Sequence, residues 1–336
     1  MTEEIPFWNL DFGESDVEAI SNAIKSRKLS QGEITSLFEA EISDKLNVKH
    51  VVMVTSGTMS LVLALMALDI KQGDEVIIPD ITWIATAHAV LLIGATPVIV
   101  DTKEDCPILD DSLLESALSE KTRAIIPVHI NGRACNMEEI CNFARIHSLY
   151  VVEDTAQALM SMYKQKYLGT FGDIGCFSLS MGKLLSTGQG GFIVTNSSEM
   201  ALRARSIRTH GLDSVFQPVA WSSMGGNFKY TDLQASIGRN QLKKIDERIA
   251  NCIEIHNIYK SMLSIPDKSL AIIPVDIDAG ELPIYNEFLC VDRQGLVNYL
   301  NSNNIPIRCF HPTISSAHYL PQESTRFAPY SNSKKF

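Results

Sequence analysis

Between residues 49 and 153, short apolar segments alternate with segments of helical length. The pattern predicts strands at 49–54, 75–79, 96–101, 124–128 and 149–153, and helices at 59–68, 83–93 and 137–147. Nearly continuous apolar runs are typical of parallel strands that are buried on both faces, with crossover helices supplying the cover. The sequence therefore predicts an α/β fold with a mostly parallel sheet and helices on both of its faces.

The remaining segments predict how the chain continues on either side of this sheet. Helices are expected at 16–27, 34–46 and 199–210, followed by a loop at 213–228 and one long helix from residue 231 to beyond Ile253. Strands at 270–274, 288–291 and 306–310, with a helix at 294–301, indicate a small α+β unit. We therefore divide the chain into a large domain, 1–245, and a small C-terminal domain, 246–336, whose irregular tail from residue 312 predicts no closing helix.

Composition excludes several classes of protein. The 336 residues carry a net charge of -10, and no basic run suggests a surface for nucleic acid. No stretch approaches the roughly 20 apolar residues that span a bilayer, and the N-terminus lacks a secretory pattern. The seven cysteines form no C-x-x-C pair and the eight histidines show no metal-ligand spacing. We expect a cytoplasmic protein with reduced thiols and no metal, nucleic-acid or membrane partner.

The segment 176–191 places one lysine, Lys183, between an apolar approach and a glycine-rich exit. Burial penalises the charged form of an amine and lowers its pKa. A neutral lysine amine is a nucleophile that forms a Schiff base with a carbonyl. The alternative is that Lys183 is a solvated surface charge, as most isolated lysines are.

The strand predicted at 149–153 delivers Asp154 and Gln157 at its carboxyl end. Ligands of open α/β sheets bind at this edge. A carboxylate facing the ring nitrogen of pyridoxal phosphate favours the pyridinium form, which is the better electron sink. Asp154 fits that role, and Gln157 can reach the ring hydroxyl. The alternative is that Asp154 only caps a following helix.

Two further features are predicted at the same edge. The turn 55–60 joins a strand to a helix, and its glycine and free N–H groups suit a phosphate, although a plain helix cap is the alternative. The turn is neither a Walker loop nor a G-x-G-x-x-G fingerprint, which counts against a dinucleotide-dependent oxidoreductase. Trp83 follows the next strand and could stack on a pyridine ring, or could simply be core.

Several ordered motifs resemble the DegT-type sugar aminotransferases, which are pyridoxal-phosphate enzymes of fold type I. They lie at 5–7, 73–79, 94–98, 153–157, 172–178 and 231–235 and cover nearly the whole chain. The resemblance implies pyridoxal 5'-phosphate as cofactor. It also implies transfer of an amino group from L-glutamate to a nucleotide-linked keto sugar, expected to be a 4-keto-6-deoxyhexose, in aminosugar or lipopolysaccharide biosynthesis.

Carried over position by position, the resemblance assigns roles to individual residues. It implies Lys183 as the internal-aldimine lysine and Asp154 as the pyridine partner. The other cofactor-binding positions that it implies are Thr58, Met59 and Ser178 for the phosphate, Trp83 for ring stacking, Gln157 for the ring hydroxyl and Asn227 for the cofactor phosphate of the other subunit. The last position implies a homodimer with composite active sites.

The sequence also departs from the family. Gln189 stands where Glu is common, the His or Asn expected near 180–182 is absent, and the final helix is missing. In some relatives histidine replaces the lysine and the enzyme is a sugar dehydratase, so Lys183 argues against that branch. Arg308 and His311 lie where relatives contact substrate, but both are equally compatible with a surface position. A non-catalytic cofactor-binding regulator of the same fold remains the alternative function.

Overall fold

A computed structural model describes residues 5–7, 11–212, 221, 223–263 and 269–336. Strands and helices alternate through the first two thirds of the chain, as the sequence predicts. The strands are β1 (His50–Val54), β2 (Glu75–Pro79), β3 (Thr96–Val100), β4 (Thr122–Ile125), β5 (Tyr150–Asp154), β6 (Met162–Tyr163), β7 (Lys166–Tyr167), β8 (Ile174–Ser178), β9 (Gly191–Thr195), β10 (Leu270–Ile272) and β11 (Phe288–Cys290).

Ten α-helices accompany these strands in the described parts of the chain. They are α1 (Glu14–Lys25), α2 (Glu33–Leu46), α3 (Gly57–Ala67), α4 (Ala85–Leu92), α5 (Leu114–Ala117), α6 (Met137–Ile146), α7 (Ser198–Arg208), α8 (Asp232–Leu242), α9 (Ile245–Met262) and α10 (Arg293–Ser302). Most bounds lie within two residues of the predicted ones. The predicted loop at 213–228 falls largely outside the described residues.

Seven strands form one sheet in the order β1-β9-β8-β5-β4-β2-β3. Only β9 runs antiparallel to its neighbours, and the other adjacent pairs in this sheet are parallel. The link from β8 to β9, residues 179–190, contains no crossover helix, so the chain turns straight back beside β8. The prediction of a mostly parallel α/β sheet is confirmed. Lys183 lies in the link between β8 and β9.

Both faces of the sheet are buried. Along β1, Val52 and Val54 pack with α3, α4, α6 and α7, whereas Val51 and Met53 pack with α2, α8 and the start of α9. Successive side chains of a strand point to opposite faces, so this division places one layer of helices on each side. The two layers cover both faces of the sheet. The carboxyl ends of the strands are left as the place where a ligand can bind.

Two predicted elements differ from the structure. The single helix from residue 231 is divided into α8 and α9 by Lys243 and Lys244. The buried Gln241 at the end of α8 donates to Asp16 of α1 at 2.9 Å, which ties α8 to that helix while α9 takes its own path. The predicted strand at 306–310 is wrong, because this segment is irregular; Pro306 has no N–H to donate to a ladder.

The tail after α10 returns to the large sheet. It forms only short 3-10 turns, and Arg326 makes two hydrogen bonds of 2.8 Å to the carboxylate of Glu75 in β2. Further on, Asn332 and Ser333 donate from their backbone to Asp101 after β3, at 2.9 and 2.8 Å. The division of the chain at residue 245 stays a prediction, and the end of the predicted small domain packs on the predicted large one.

No helix in the described parts of the chain combines the length and the apolar character that crossing a membrane requires.

The carboxylate of Asp232 at the start of α8 holds the first turn of α2. It accepts hydrogen bonds from the backbone of Gly32, Ile34 and Thr35 at 2.9, 3.3 and 2.8 Å, and from the Thr35 hydroxyl at 2.7 Å. Asp232→Ala leaves these four donors, of which the two of Thr35 are buried, without this partner, so we expect a loss of about 2–4 kcal/mol in the free energy of unfolding. Urea denaturation measures it. The exposed Asp105→Ala is the control, and equal midpoints for the two variants would contradict the assignment.

Candidate active site

The carboxyl ends of three strands meet at one edge of the sheet. Ser178, the last residue of β8, pairs with Gly191 of β9, which pairs in turn with Val54 at the end of β1. Asp154, the last residue of β5, pairs with Cys176 of β8. The register of the sheet therefore places three segments close together: the end of β5, the turn after β1 and residues 179–190, which contain Lys183.

The turn after β1 packs closely against Ser178. Helix α3 begins at Gly57, and the Ser56 hydroxyl accepts the backbone N–H of Met59 at 3.2 Å, so the helix-cap interpretation is confirmed. A Cβ on Gly57 would lie 2.7 Å from that of Ser178, and one on Gly191 would lie 2.5 Å from the carbonyl carbon of Ser56. Only glycines permit this approach. It brings the first turn of α3 next to the Ser178 hydroxyl, an arrangement whose N–H groups would suit an anion.

Asp154 is almost fully buried at the end of β5. Its carboxylate accepts a hydrogen bond from the Thr86 hydroxyl at 2.8 Å and one from the backbone of Ala156 at 3.1 Å. No helix begins after it, so the helix-cap interpretation is wrong. Burial raises the pKa of Asp154 above its usual value, whereas the hydrogen bond from Thr86 and the positive charge of Lys183 act in the opposite direction.

Lys183 is only partly exposed, in the turn between β8 and β9. Burial lowers the pKa of its amine to about 8; the carboxylate of Asp154 acts to raise it, and the charge of Arg308 lowers it further. The amine thus has a larger neutral fraction near neutral pH than a solvated lysine. The structure brings Lys183 and Asp154 close enough for their charges to interact.

Two other predicted residues flank this pair. Gln157 is nearly buried, and its side-chain oxygen accepts the backbone N–H of Asn131 at 3.3 Å. Trp83 is 53% exposed, so its interpretation as a core residue is wrong. Its ring meets that of His311 edge-on, with 5.2 Å between the centroids. Burial, with the charges of Arg308 and Lys183, lowers the pKa of His311 to about 4, which keeps this imidazole neutral near neutral pH.

Asn227 lies at the same edge but on the surface. It pairs with Thr209 in an antiparallel bridge, and Lys229, two residues later, bridges Val54 at the end of β1. Its side chain is exposed. Its contact with another subunit stays a prediction.

Sequence reasoning missed three residues that contact the predicted site residues or the residue next to one of them. Thr86 donates to Asp154; Asn131 donates to Gln157; and the Tyr285 hydroxyl donates to the carbonyl of Gly182, next to Lys183, at 2.9 Å. A threonine in the apolar first turn of α4 is a signal that could have revealed Thr86. Asn131 and Tyr285 lie in unremarkable stretches, and only the fold brings them to the site.

These residues fit pyridoxal phosphate. The first turn of α3 beside Ser178 suits its phosphate, the partly neutral amine of Lys183 suits its aldehyde, and the buried carboxylate of Asp154 suits its ring nitrogen. A mostly parallel sheet with this set at its carboxyl edge defines a pyridoxal-phosphate-dependent transferase of fold type I.

Comparison with known proteins shows which family within this class the chain matches. The model of the DegT/DnrJ/EryC1/StrS aminotransferase family matches residues 11–336. The chain is 33% identical over 332 residues to the GDP-perosamine synthase of Escherichia coli O157:H7, covering 96% of this chain and 88% of that protein.

Two solved structures are also similar. DesV of S. venezuelae superposes with a TM-score of 0.91 at 29% identity, over 99% of this chain and 91% of that chain. The E. coli GDP-4-keto-6-deoxy-D-mannose-3-dehydratase with bound hydrated pyridoxal phosphate superposes with a TM-score of 0.81 at 25% identity, over 90% of this chain and 83% of that chain.

The chain belongs to the DegT/DnrJ/EryC1/StrS aminotransferase family. It is a pyridoxal-phosphate-dependent aminotransferase, and the resemblance inferred from its motifs is confirmed.

The opposing charges around Lys183 give a test that needs no substrate. In the full-length chain without cofactor, acetylation of Lys183 should follow a pKa of about 8. Asp154→Asn removes a charge that raises this pKa and should lower it, whereas Arg308→Gln removes a charge that lowers it and should raise it, each by roughly half a unit or more. Mass spectrometry of peptides acetylated across a pH series measures both, with the exposed Lys25 as reference. Shifts of the same sign in the two variants would contradict the geometry.

Proposed function

We propose that this enzyme transfers an amino group from L-glutamate to a nucleotide-linked keto sugar, a 4-keto-6-deoxyhexose. The observation that carries the proposal is that a partly neutral Lys183 lies within electrostatic reach of the buried Asp154 in a chain of this family. The names of the GDP-perosamine synthase and the GDP-4-keto-6-deoxy-D-mannose-3-dehydratase support a sugar substrate and favour a GDP-linked one.

The cofactor would be held at both ends. The first turn of α3 at Thr58 and Met59 and the hydroxyl of Ser178 would bind its phosphate, because helix N-termini attract anions. Asp154, oriented by Thr86, would hold a proton on the ring nitrogen. When bound, the cofactor supplies an aldehyde that accepts the amino group and a ring that withdraws electrons.

The Nζ of Lys183 would carry the proton during the reaction. A pKa of about 8 lets the amine both accept and return a proton near neutral pH, which is the condition for general acid and base catalysis. The neutral ring of His311 contacts the indole of Trp83 and lies near the charges of Lys183 and Arg308. Arg308 would attract the phosphates of the nucleotide.

The family resemblance implies that histidine stands in place of this lysine in those relatives that are sugar dehydratases. Because Lys183 carries an amine, transamination is favoured over dehydration. A non-catalytic regulator would bind the cofactor without converting glutamate to its keto acid.

The test combines a substrate panel with a lysine variant. Purified enzyme loaded with pyridoxal phosphate and given L-glutamate should release 2-oxoglutarate, and it should aminate one of a panel of GDP-, dTDP- and UDP-linked 4-keto-6-deoxyhexoses. Borohydride should fix the cofactor to Lys183, and Lys183→Arg should lower kcat at least about a thousandfold because Arg stays protonated. Turnover retained in Lys183→Arg, or wild-type enzyme that binds the cofactor but never converts glutamate, would refute the assignment.

We also propose a homodimer in which Asn227 of each subunit serves the active site of the other. Its exposed position at the edge beside β1 supports this role. If Lys183→Ala and Asn227→Ala subunits are each nearly inactive, mixing and reassembling them should restore about a quarter of the wild-type sites, since one site of each mixed dimer has both residues intact. Assays after refolding together and separately measure it. No recovery in a mixed dimer verified by mass would show that the two residues serve the same subunit's site.

A further inference from the structure

Residues 130–133, which we name the docking turn, follow β4 and hold a distant segment of the chain. A Cβ on Gly132 would lie 1.9 Å from the carbonyl oxygen of Leu282, so only glycine allows this contact. The buried Arg133 donates to the carbonyls of Pro274 and Ile273 at 2.8 and 3.0 Å. It also pairs with Glu287 at 2.6 Å. The docking turn thus fixes residues 273–287 against the large sheet.

Asn131 makes the most specific of these contacts. It is fully buried and left-handed, with φ of 50°. Its amide donates to the carbonyl of Tyr285 at 2.6 Å and accepts the backbone N–H of the same residue. One side chain thus satisfies both backbone groups of Tyr285, which fixes the position of that residue as a strand partner would.

Both members of this pair reach the predicted active-site residues. The Tyr285 hydroxyl donates to the carbonyl of Gly182 at 2.9 Å, and Gly182 has φ of 80° and directly precedes Lys183. The backbone N–H of Asn131 donates to the side-chain oxygen of Gln157 at 3.3 Å. With its oxygen engaged, Gln157 presents its NH2 group, a donor suited to the ring hydroxyl of the cofactor.

We propose that Tyr285 and Asn131 are positioning residues that couple the docked segment 273–287 to the lysine turn and to Gln157. The inference rests on the proposed function of Lys183. The Tyr285 hydroxyl keeps Gly182 in its left-handed turn and so keeps the amine of Lys183 in its partly dehydrated place. Through its two hydrogen bonds to the backbone of Tyr285, Asn131 positions the Tyr285 hydroxyl for that bond. Through its own backbone N–H, Asn131 fixes the orientation of the Gln157 side chain.

Among the described residues, the charges that act on the amine of Lys183 are those of Asp154 at the end of β5 and Arg308 after α10. The ring of His311 lies near the same amine, and the Tyr285 hydroxyl reaches the turn with Glu287 beside it. Arg248 of α9 donates to the carbonyl of Leu184 at 3.2 Å. Burial raises the pKa of Tyr285 to about 12, so its hydroxyl stays a donor throughout the working range. Removing that hydroxyl changes no charge. Any change in the titration of Lys183 then reports its position and hydration.

Tyr285→Phe is the direct test, with Tyr163→Phe as matched control. Both tyrosines are half-buried. Tyr163 donates to Asn136 at 3.0 Å and its ring meets that of Phe171, and neither partner is a proposed active-site residue. In the full-length chain without cofactor, Tyr285→Phe should raise the acetylation pKa of Lys183 by roughly one unit because a loosened turn admits water. With cofactor, kcat for glutamate conversion at neutral pH should fall roughly tenfold with KM changed less than about twofold. Tyr163→Phe should leave both quantities unchanged.

A second variant separates positioning from folding. Asn131→Gly keeps the left-handed backbone and its N–H to Gln157 but removes both bonds to Tyr285, and it should shift the Lys183 titration in the same direction as Tyr285→Phe. If borohydride links the cofactor to Lys183 in both variants while their acetylation pKa and kcat match the wild type, this coupling is overturned and the proposed function stands. If borohydride links nothing to Lys183 in the wild type, the proposed function falls and this inference falls with it.

Discussion

The candidate active site depends on two opposite charges held out of water at one edge of the sheet. Taking an amine and a carboxylate into a protein is costly for each, and each lowers that cost for the other. Here burial dominates at both residues: it raises the pKa of Asp154 and lowers that of Lys183 to about 8 in spite of their attraction. The chain has to supply neighbours that hold the pair in place, and much of the surrounding structure does so.

Glycines and hydrogen bonds bring these neighbours together. Gly57 and Gly191 let the first turn of α3 approach the end of β8, which places backbone N–H groups suited to an anion at the same edge as Lys183 and Asp154. Thr86 orients Asp154 from α4, and Tyr285 reaches the lysine turn from the docked segment. The tail adds Arg308 and His311, and the Ser315 backbone and hydroxyl donate to the buried Asp80 at 2.7 and 3.0 Å to fix that tail near Trp83. Each neighbour comes from a different element, so the site forms only when the whole chain has folded.

These contacts also explain why the sequence revealed some residues and not others. Asp154 and Ser178 stand at the ends of strands, Thr58 follows a glycine turn, and Lys183 is alone between apolar and glycine-rich stretches, so each carried a local signal. Thr86, Asn131 and Tyr285 carry ordinary residue types in ordinary places. Their roles arise from partners far away in sequence, as in the bond between Tyr285 and Gly182. The same limit produced the two errors of the fold prediction, the continuous helix from residue 231 and the strand at 306–310.

The sequence alone determined the alternation of strands and helices, the parallel sheet and the residues at strand ends, because periodicity and turn chemistry act over a few residues. The class of enzyme followed from the resemblance of several ordered motifs to a known family. The tertiary structure decided how far Lys183 is dehydrated, which way Gln157 faces, where the tail lies and that Trp83 is exposed to meet His311. Those properties depend on burial and on hydrogen bonds between segments distant in the chain, which no local pattern of residues encodes.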